Sequence, residues 1–286
     1  MPRRLRPAAE AIAVLLIALR LGSGQAASVA AAQQPPPATA ANERRETAEA
    51  LGMRHYVEGR LAEAIPYLEE ALALKADDKV AYALARAYAL TRQPDKARVS
   101  IARTFQLQPD SAAAYLLAGQ MFNRLELEDL AAGALNQALA KEPQIPEAHF
   151  VLGQIAVFRS RYDEGLAHMR AELAVNPAHA MALYWIGDIY TRQSKWPEAI
   201  RALQQSIWIN PYFSGPYVLL GKAFARTSQP AAAEDMLRHA IEYDPNNKTA
   251  HYLLAQVLQQ AGRTAEAKRE FDIAARLSGD IRIPDP

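Results

Sequence analysis

Pro109, Pro143, Pro177, Pro211 and Pro245 stand 34 residues apart without a slip. A fixed period of that length marks a stacked array. One small supersecondary unit cannot bury its apolar face alone, so it lays that face on a neighbouring copy. The period sets aside the two domains that a length of 286 residues would otherwise suggest, because stacked copies share one continuous core.

Other residues keep the same register. Leu51-Gly52, Ala118-Gly119, Leu152-Gly153, Ile186-Gly187 and Leu220-Gly221 fill one slot of the period. Three residues further on come Tyr88, Phe122, Ala156, Tyr190, Phe224 and Leu258, and nine beyond those a small residue: Ala97, Ala131, Gly165, Ala199, Ala233 and Ala267. Four more residues bring a large apolar side chain, Ile101, Leu135, Met169, Leu203, Leu237 or Phe271. A spacing of four puts the small and the large residue on one helix face. The small ones let two antiparallel helices approach, and the large ones fill the groove between turns. Pro94, Pro197 and Pro230 fall where a helix start tolerates a missing N–H. Asn176-Pro177, Asn210-Pro211 and Asp244-Pro245 read as helix stops. Pro66 is expected within about the first turn of its helix, with at most a mild bend.

This pattern resembles the tetratricopeptide repeat, W-x2-L-G-x2-Y, then A-x3-F, then P. The tryptophan slot is the departure, holding Ala81, Tyr115, His149, Leu183, Tyr217 and His251. The resemblance implies an all-α fold, a right-handed α-solenoid superhelix of antiparallel helix pairs. Seven repeats are expected, at 45–77, 78–111, 112–145, 146–179, 180–213, 214–247 and 248–279, with Ala76 and Gly279 where the end copies would carry proline. The last second helix is polar outward through Glu266, Lys268, Arg269, Glu270, Asp272 and Arg276, so the array is expected to end there. Residues 280–286 form a tail.

The N-terminal segment is of another kind. Arg3, Arg4 and Arg6 precede an uncharged apolar run from Ala11 to Leu19 and a small-residue stretch through Ala32, the pattern of a secretory signal peptide over 1–32. Nine apolar residues fall short of the roughly 20 that span a bilayer, so no stable membrane span is expected. Residues 33–44 read as a Pro/Ala-rich linker without helical periodicity. The expected location is exported, periplasmic or extracellular; a cytoplasmic or organellar location is the alternative.

In the family, the first helix of each repeat lines the concave side, with its second, fifth, ninth, twelfth and thirteenth positions inward. Carried over, the implied peptide groove has apolar and aromatic members Tyr56, Tyr82, Phe150, Phe158, Tyr184 and Tyr252, joined by Met53, Val57, Leu90, Leu116, Val157, Met181 and Val218. Its polar members are Arg86, Gln120, Asn123, Arg124, Gln154, Asp188, Arg192, Lys222, Arg226 and Gln256, with Gln259 and Gln260. Such a lining suits an extended peptide or a partner helix that alternates apolar and acidic side chains. The two-carboxylate clamp by which some members hold chaperone tails uses Lys and Asn four apart, a further Asn, then Lys and Arg four apart on three successive first helices, and no three successive repeats supply that set here. A second patch is Trp208, Tyr212, Phe213 and Tyr217 around Pro211, for which junction packing is the first reading and self-association the second.

Nothing in the chain points to chemistry. There is no cysteine, which excludes thiol catalysis, disulfides and lipoprotein anchoring. No phosphate loop, H-E-x-x-H or nucleophile elbow occurs. Asp235 and His239 share a helix face but lack a third metal ligand, and His149 and His251 read as packing residues. No cofactor or metal is expected. A net charge of +1 gives no pull toward nucleic acid or anionic membrane. The expectation is a non-enzymatic scaffold or adaptor that holds a segment of a partner protein, within envelope assembly, secretion or maturation. A self-associating scaffold, or a non-catalytic subunit of glycosyl transfer or polysaccharide export machinery, is the alternative.

Overall fold

A computed structural model describes residues 37–75 and 77–278. The chain divides into Met1–Ala40 and Ala41–Pro286, and the second unit carries the repeats. The expected signal peptide and C-terminal tail lie outside the described residues.

Fourteen helices and no strand occur among the described residues. They form seven pairs: α1 (Pro37–Val57) with α2 (Leu61–Ala73), α3 (Asp78–Leu90) with α4 (Pro94–Thr104), α5 (Ala112–Arg124) with α6 (Glu128–Lys141), and α7 (Ala148–Phe158) with α8 (Tyr162–Val175). Then come α9 (Ala180–Arg192) with α10 (Trp196–Ile209), α11 (Ser214–Arg226) with α12 (Pro230–Tyr243), and α13 (Lys248–Gln260) with α14 (Thr264–Leu277).

The glycine slot shows why the pairs pack so closely. A Cβ at Gly187 would lie 2.5 Å from the Leu203 side chain, and one at Gly221 2.5 Å from Leu237; Gly119 stands in the same relation to Leu135. Each glycine faces the large residue of its own second helix, and Leu135, Leu203 and Leu237 are fully buried there. Apolar burial of a leucine contributes about 1.5–3 kcal/mol, so this contact, repeated down the array, is a main source of its cohesion. Turns within the pairs repeat as well. Gly59, Arg92, Glu126, Ser160, Ser194, Ser228 and Gly262 all adopt positive φ just after the first helix.

First helices of most repeats begin behind a side-chain cap. Asp77 accepts from the N–H groups of Lys79 and Val80, Ser111 from Ala114, and Asn247 from Ala250. Helix α7 is different. Pro146 keeps Ile145 out of the helical region, and Glu147 turns to φ +71, so the helix begins at Ala148. Its free N–H groups are capped from another element: buried Glu172 of α8 accepts from the backbone of Glu147 at 2.9 Å and of Phe150 at 3.2 Å.

Two local expectations are corrected. Residues 37–44 of the expected linker belong to α1, because the Ala-rich run after Pro37 has high helix propensity and Pro sits well at a first helical position. Pro66 is the sixth residue of α2, past the first turn, so the carbonyl of Ala62 loses its helical partner.

Candidate interaction surface

First helices of successive repeats touch one another: α5 with α7, α7 with α9, α9 with α11 and α11 with α13. From α5 to α13 they therefore form a continuous inner row.

The packing sorts the expected groove residues by their position along the first helix. Fifth-position side chains are covered. Val218 is buried, while Tyr82, Leu116, Phe150 and Tyr184 are half-buried. The Tyr184 ring packs edge-on against Trp185 and Phe213 at 5.8 and 5.0 Å, and burial pushes its phenol pKa up. Tyr252 holds the same position in the last repeat and is 47% exposed, since no described first helix follows it. The twelfth position is also largely interior, with Val157 buried and Tyr56 and Asn123 half-buried.

Ninth-position residues form the wall: Arg86, Gln120, Gln154, Lys222 and Gln256 are half-buried. Some of these are engaged. Arg86 lies over the Tyr56 ring at 5.9 Å, and buried Asp188 accepts from Arg192 at 2.7 Å, which raises the arginine pKa further. Position thirteen is exposed in every repeat. Val57 is 78% exposed, Phe158 65% and Leu90 39%, while Arg124, Arg192, Arg226 and Gln260 are exposed too. Phe158 leans edge-on against Trp185 at 5.7 Å, a contact the repeat pattern did not reveal because the tryptophan falls outside the inward positions.

A cleft of about 480 Å³ opens between α11 and α13, lined by Lys222, Arg226, Gln256, Gln259 and Gln260 over Leu253 and Val257. Its polar residues come from the inward positions; its apolar floor was not legible in the sequence.

The Pro211 patch divides. Tyr217 is buried and donates to the Pro211 carbonyl at 3.0 Å, so it offers no surface for self-association. Phe213 takes the place of a capping residue at the start of α11 and is half-buried under Tyr184. Trp208 is 87% exposed and Tyr212 77%.

The histidines are placed by packing. His251 is buried, with its nitrogens facing Glu270 at 2.6 Å and the Pro245 carbonyl at 3.0 Å. His149 meets His168 across the equivalent position, Nδ1 to Nδ1 at 3.0 Å, and burial lowers the pKa of both. Asp235 and His239 are 3.9 Å apart at the surface. Glu147, Glu172 and His179 bring ligand-type atoms within 4.8 Å of one another. That group acts as a cap. Nδ1 of His179 accepts from the Ala182 N–H, which places the ring proton on Nε2, where it is donated to Glu147 at 3.1 Å. The lone pair a metal would take is not offered, and both Glu172 oxygens already accept backbone N–H groups.

No described helix is long and apolar enough to cross a membrane.

Models of the tetratricopeptide repeat match residues 57–120, 129–171, 150–211 and 225–280, together more than half of the chain. The chain belongs to the tetratricopeptide repeat family, an all-α solenoid fold that is generally non-catalytic and serves protein–protein interaction. Among solved structures, it is similar to residues 41 to the end of MamA from Desulfovibrio magneticus RS-1, with a TM-score of 0.55 at 21% identity, covering 61% of this chain and 98% of that one. YrrB, described as a tetratricopeptide repeat protein with an unusual peptide-binding site, gives a TM-score of 0.53 at 16% identity over 65% of this chain and 94% of its own. The Cut9–Hcn1 assembly gives 0.52 at 20% over 76% and 43%. At these identities the likeness speaks for the fold alone. No curated protein matches the chain significantly.

Proposed function

We propose that the chain is a non-enzymatic adaptor that holds a segment of a partner protein along its first-helix row, in an exported complex of envelope assembly, secretion or maturation. The observation that carries this reading is the thirteenth-position row. Val57, Leu90 and Phe158 present apolar surface to solvent at one repeated place, where folding alone favours polar residues. Covering such side chains is what a bound segment gains. The peptide site in the name of YrrB is consistent with this use of the fold. Export is supported by the charge and hydropathy order of residues 1–32.

Photo-crosslinking from position 158 in the native host, with Val99 of α4 as the control position, tests both parts. The reading expects a protein partner from the exported compartment at position 158. Cytoplasmic partners alone would refute the export reading, and equal capture at both positions would refute the groove.

A second reading rests on Trp208 and Tyr212, whose exposed rings offer a contact for another copy of the chain. Sedimentation at high concentration decides it: association that Trp208→Ala and Tyr212→Ala abolish supports it, and a strict monomer counts against it.

A further inference from the structure

Repeat four sets two histidines against each other. His149 lies in α7 and His168 in α8, and their Nδ1 atoms face at 3.0 Å with the rings tilted by 35°. In repeat seven the equivalent pair is a histidine and a carboxylate, His251 and Glu270, which one ring proton joins. Between two imidazoles a different partner can stand. Among the described residues no backbone group is bonded to either Nδ1, whereas that of His179 accepts from the Ala182 N–H. Burial lowers the pKa of both rings, so at neutral pH they offer lone pairs rather than positive charge.

We propose that His149 and His168 hold a divalent transition-metal ion of the zinc type between their Nδ1 atoms, with Glu164 as a third ligand and water as the fourth. The distance carries it. Two nitrogens that each stand about 2.0–2.1 Å from a tetrahedral ion are about 3.3 Å apart, so a slight tilt of the rings turns the hydrogen-bonded pair into a chelate. Both rings then carry their proton on Nε2, a change of tautomer in one of them that releases no proton. Glu164 stands four residues before His168 on α8, hence on the same helix face, and its charge acts on that ring. Arg161 holds it at 2.9 Å in an exposed ion pair, which is weak enough for the carboxylate to turn to the ion. Glu172, four residues beyond His168, spends both oxygens on the start of α7 and is not a ligand, but its charge beside His149 favours a cation. Arg161 is the opposing charge. Two imidazoles with one carboxylate suit zinc, nickel or copper, whereas magnesium and calcium take sets of oxygens. The ion ties the first helix of repeat four to the second.

The test is a titration of the full chain with zinc chloride in metal-free buffer at neutral pH, followed by NMR of the histidine ring nitrogens. Zinc is expected to move the Nδ1 signals of His149 and His168 far more than their Nε2 signals. Cobalt(II) is expected to give the intense visible bands of a four-coordinate site, and magnesium in large excess to displace neither ion. His149→Gln and His168→Gln are each expected to weaken zinc binding by about tenfold or more, since losing even an outer partner of a metal costs that much. His239→Gln, at the surface beside Asp235, is expected to bind as the natural chain does. Unmoved Nδ1 signals overturn the proposal, and so does a six-coordinate cobalt spectrum. Zinc binding that survives in both histidine variants, or a loss confined to His239→Gln, overturns it as well. The ring signals and the cobalt spectrum are read in the natural chain, so they decide the matter even where a histidine variant fails to fold.

Discussion

Ser160, Ser194 and Ser228 sit at positive φ in the turn inside their repeats, where the first and last repeats carry Gly59 and Gly262. An L-residue there bears a left-handed strain of roughly 1–2 kcal/mol, partly offset because glycine loses more freedom on folding. Ser160→Gly is expected to raise stability by up to about 1 kcal/mol, read as a higher unfolding midpoint in urea. A lower midpoint would show that the serine makes a contact worth more than the strain. This feature was not legible beforehand. The proline register marks where second helices end, but only backbone angles show which turn residue carries the strain. The surface was legible in part for a similar reason. The repeat pattern names five inward positions, but Tyr184 and Val218 at the fifth are covered by the following first helix, and only the thirteenth is exposed in all seven repeats.

Within a helix pair, the small-against-large contact is where sequence and structure agree most closely, because a 34-residue register turns each slot into a fixed place in space. Gly187 and Leu203 make the most direct case. Gly187→Ala drives a methyl into Leu203 and is expected to cost about 1–3 kcal/mol. Leu203→Ala is expected to cost about 2–5 kcal/mol by leaving a cavity. Joined, the two should cost less than their sum, since the new methyl enters the space the leucine left; simple additivity in urea denaturation would contradict the contact. Pair α7/α8 departs from its neighbours. His149 and His168 are both held below their ordinary value of 6.5 by burial, and His168 further by His149. Glu172, Glu164 and Arg161 are the charges beside them. Groups of this kind give stability that is present above 6.5 and is lost as pH falls below it. His179 is shifted the other way: bonding to Glu147 raises its pKa. Thermal melts from pH 7.5 down to 5 are expected to show a fall that His168→Gln reduces. An unchanged fall in that variant would place the acid sensitivity elsewhere. Residues 149 and 168 lie in different helices, so their meeting was not visible in the sequence.

Across the whole array, the inner row changes character along the chain. Apolar thirteenth-position residues outnumber the one cation, Arg124, in the first four repeats as Val57, Leu90 and Phe158, and cations or an amide fill the last three as Arg192, Arg226 and Gln260. A partner segment that fits it is apolar toward one end and acidic toward the other. We propose from this gradient that first-helix side chains bind the partner and second-helix ones do not. The second helix α4 and the turn after it provide a matched control, since Val99 is 46% exposed and Phe105 53%. The deciding measurement is the affinity of the crosslinked partner for Val57→Asp/Phe158→Asp and for Val99→Asp/Phe105→Asp, each checked for unchanged helicity. The account predicts at least a tenfold loss for the first pair and less than a twofold change for the second, on the order of 1.4 kcal/mol against a few tenths. Equal losses in both, or a loss confined to the second pair, would contradict it.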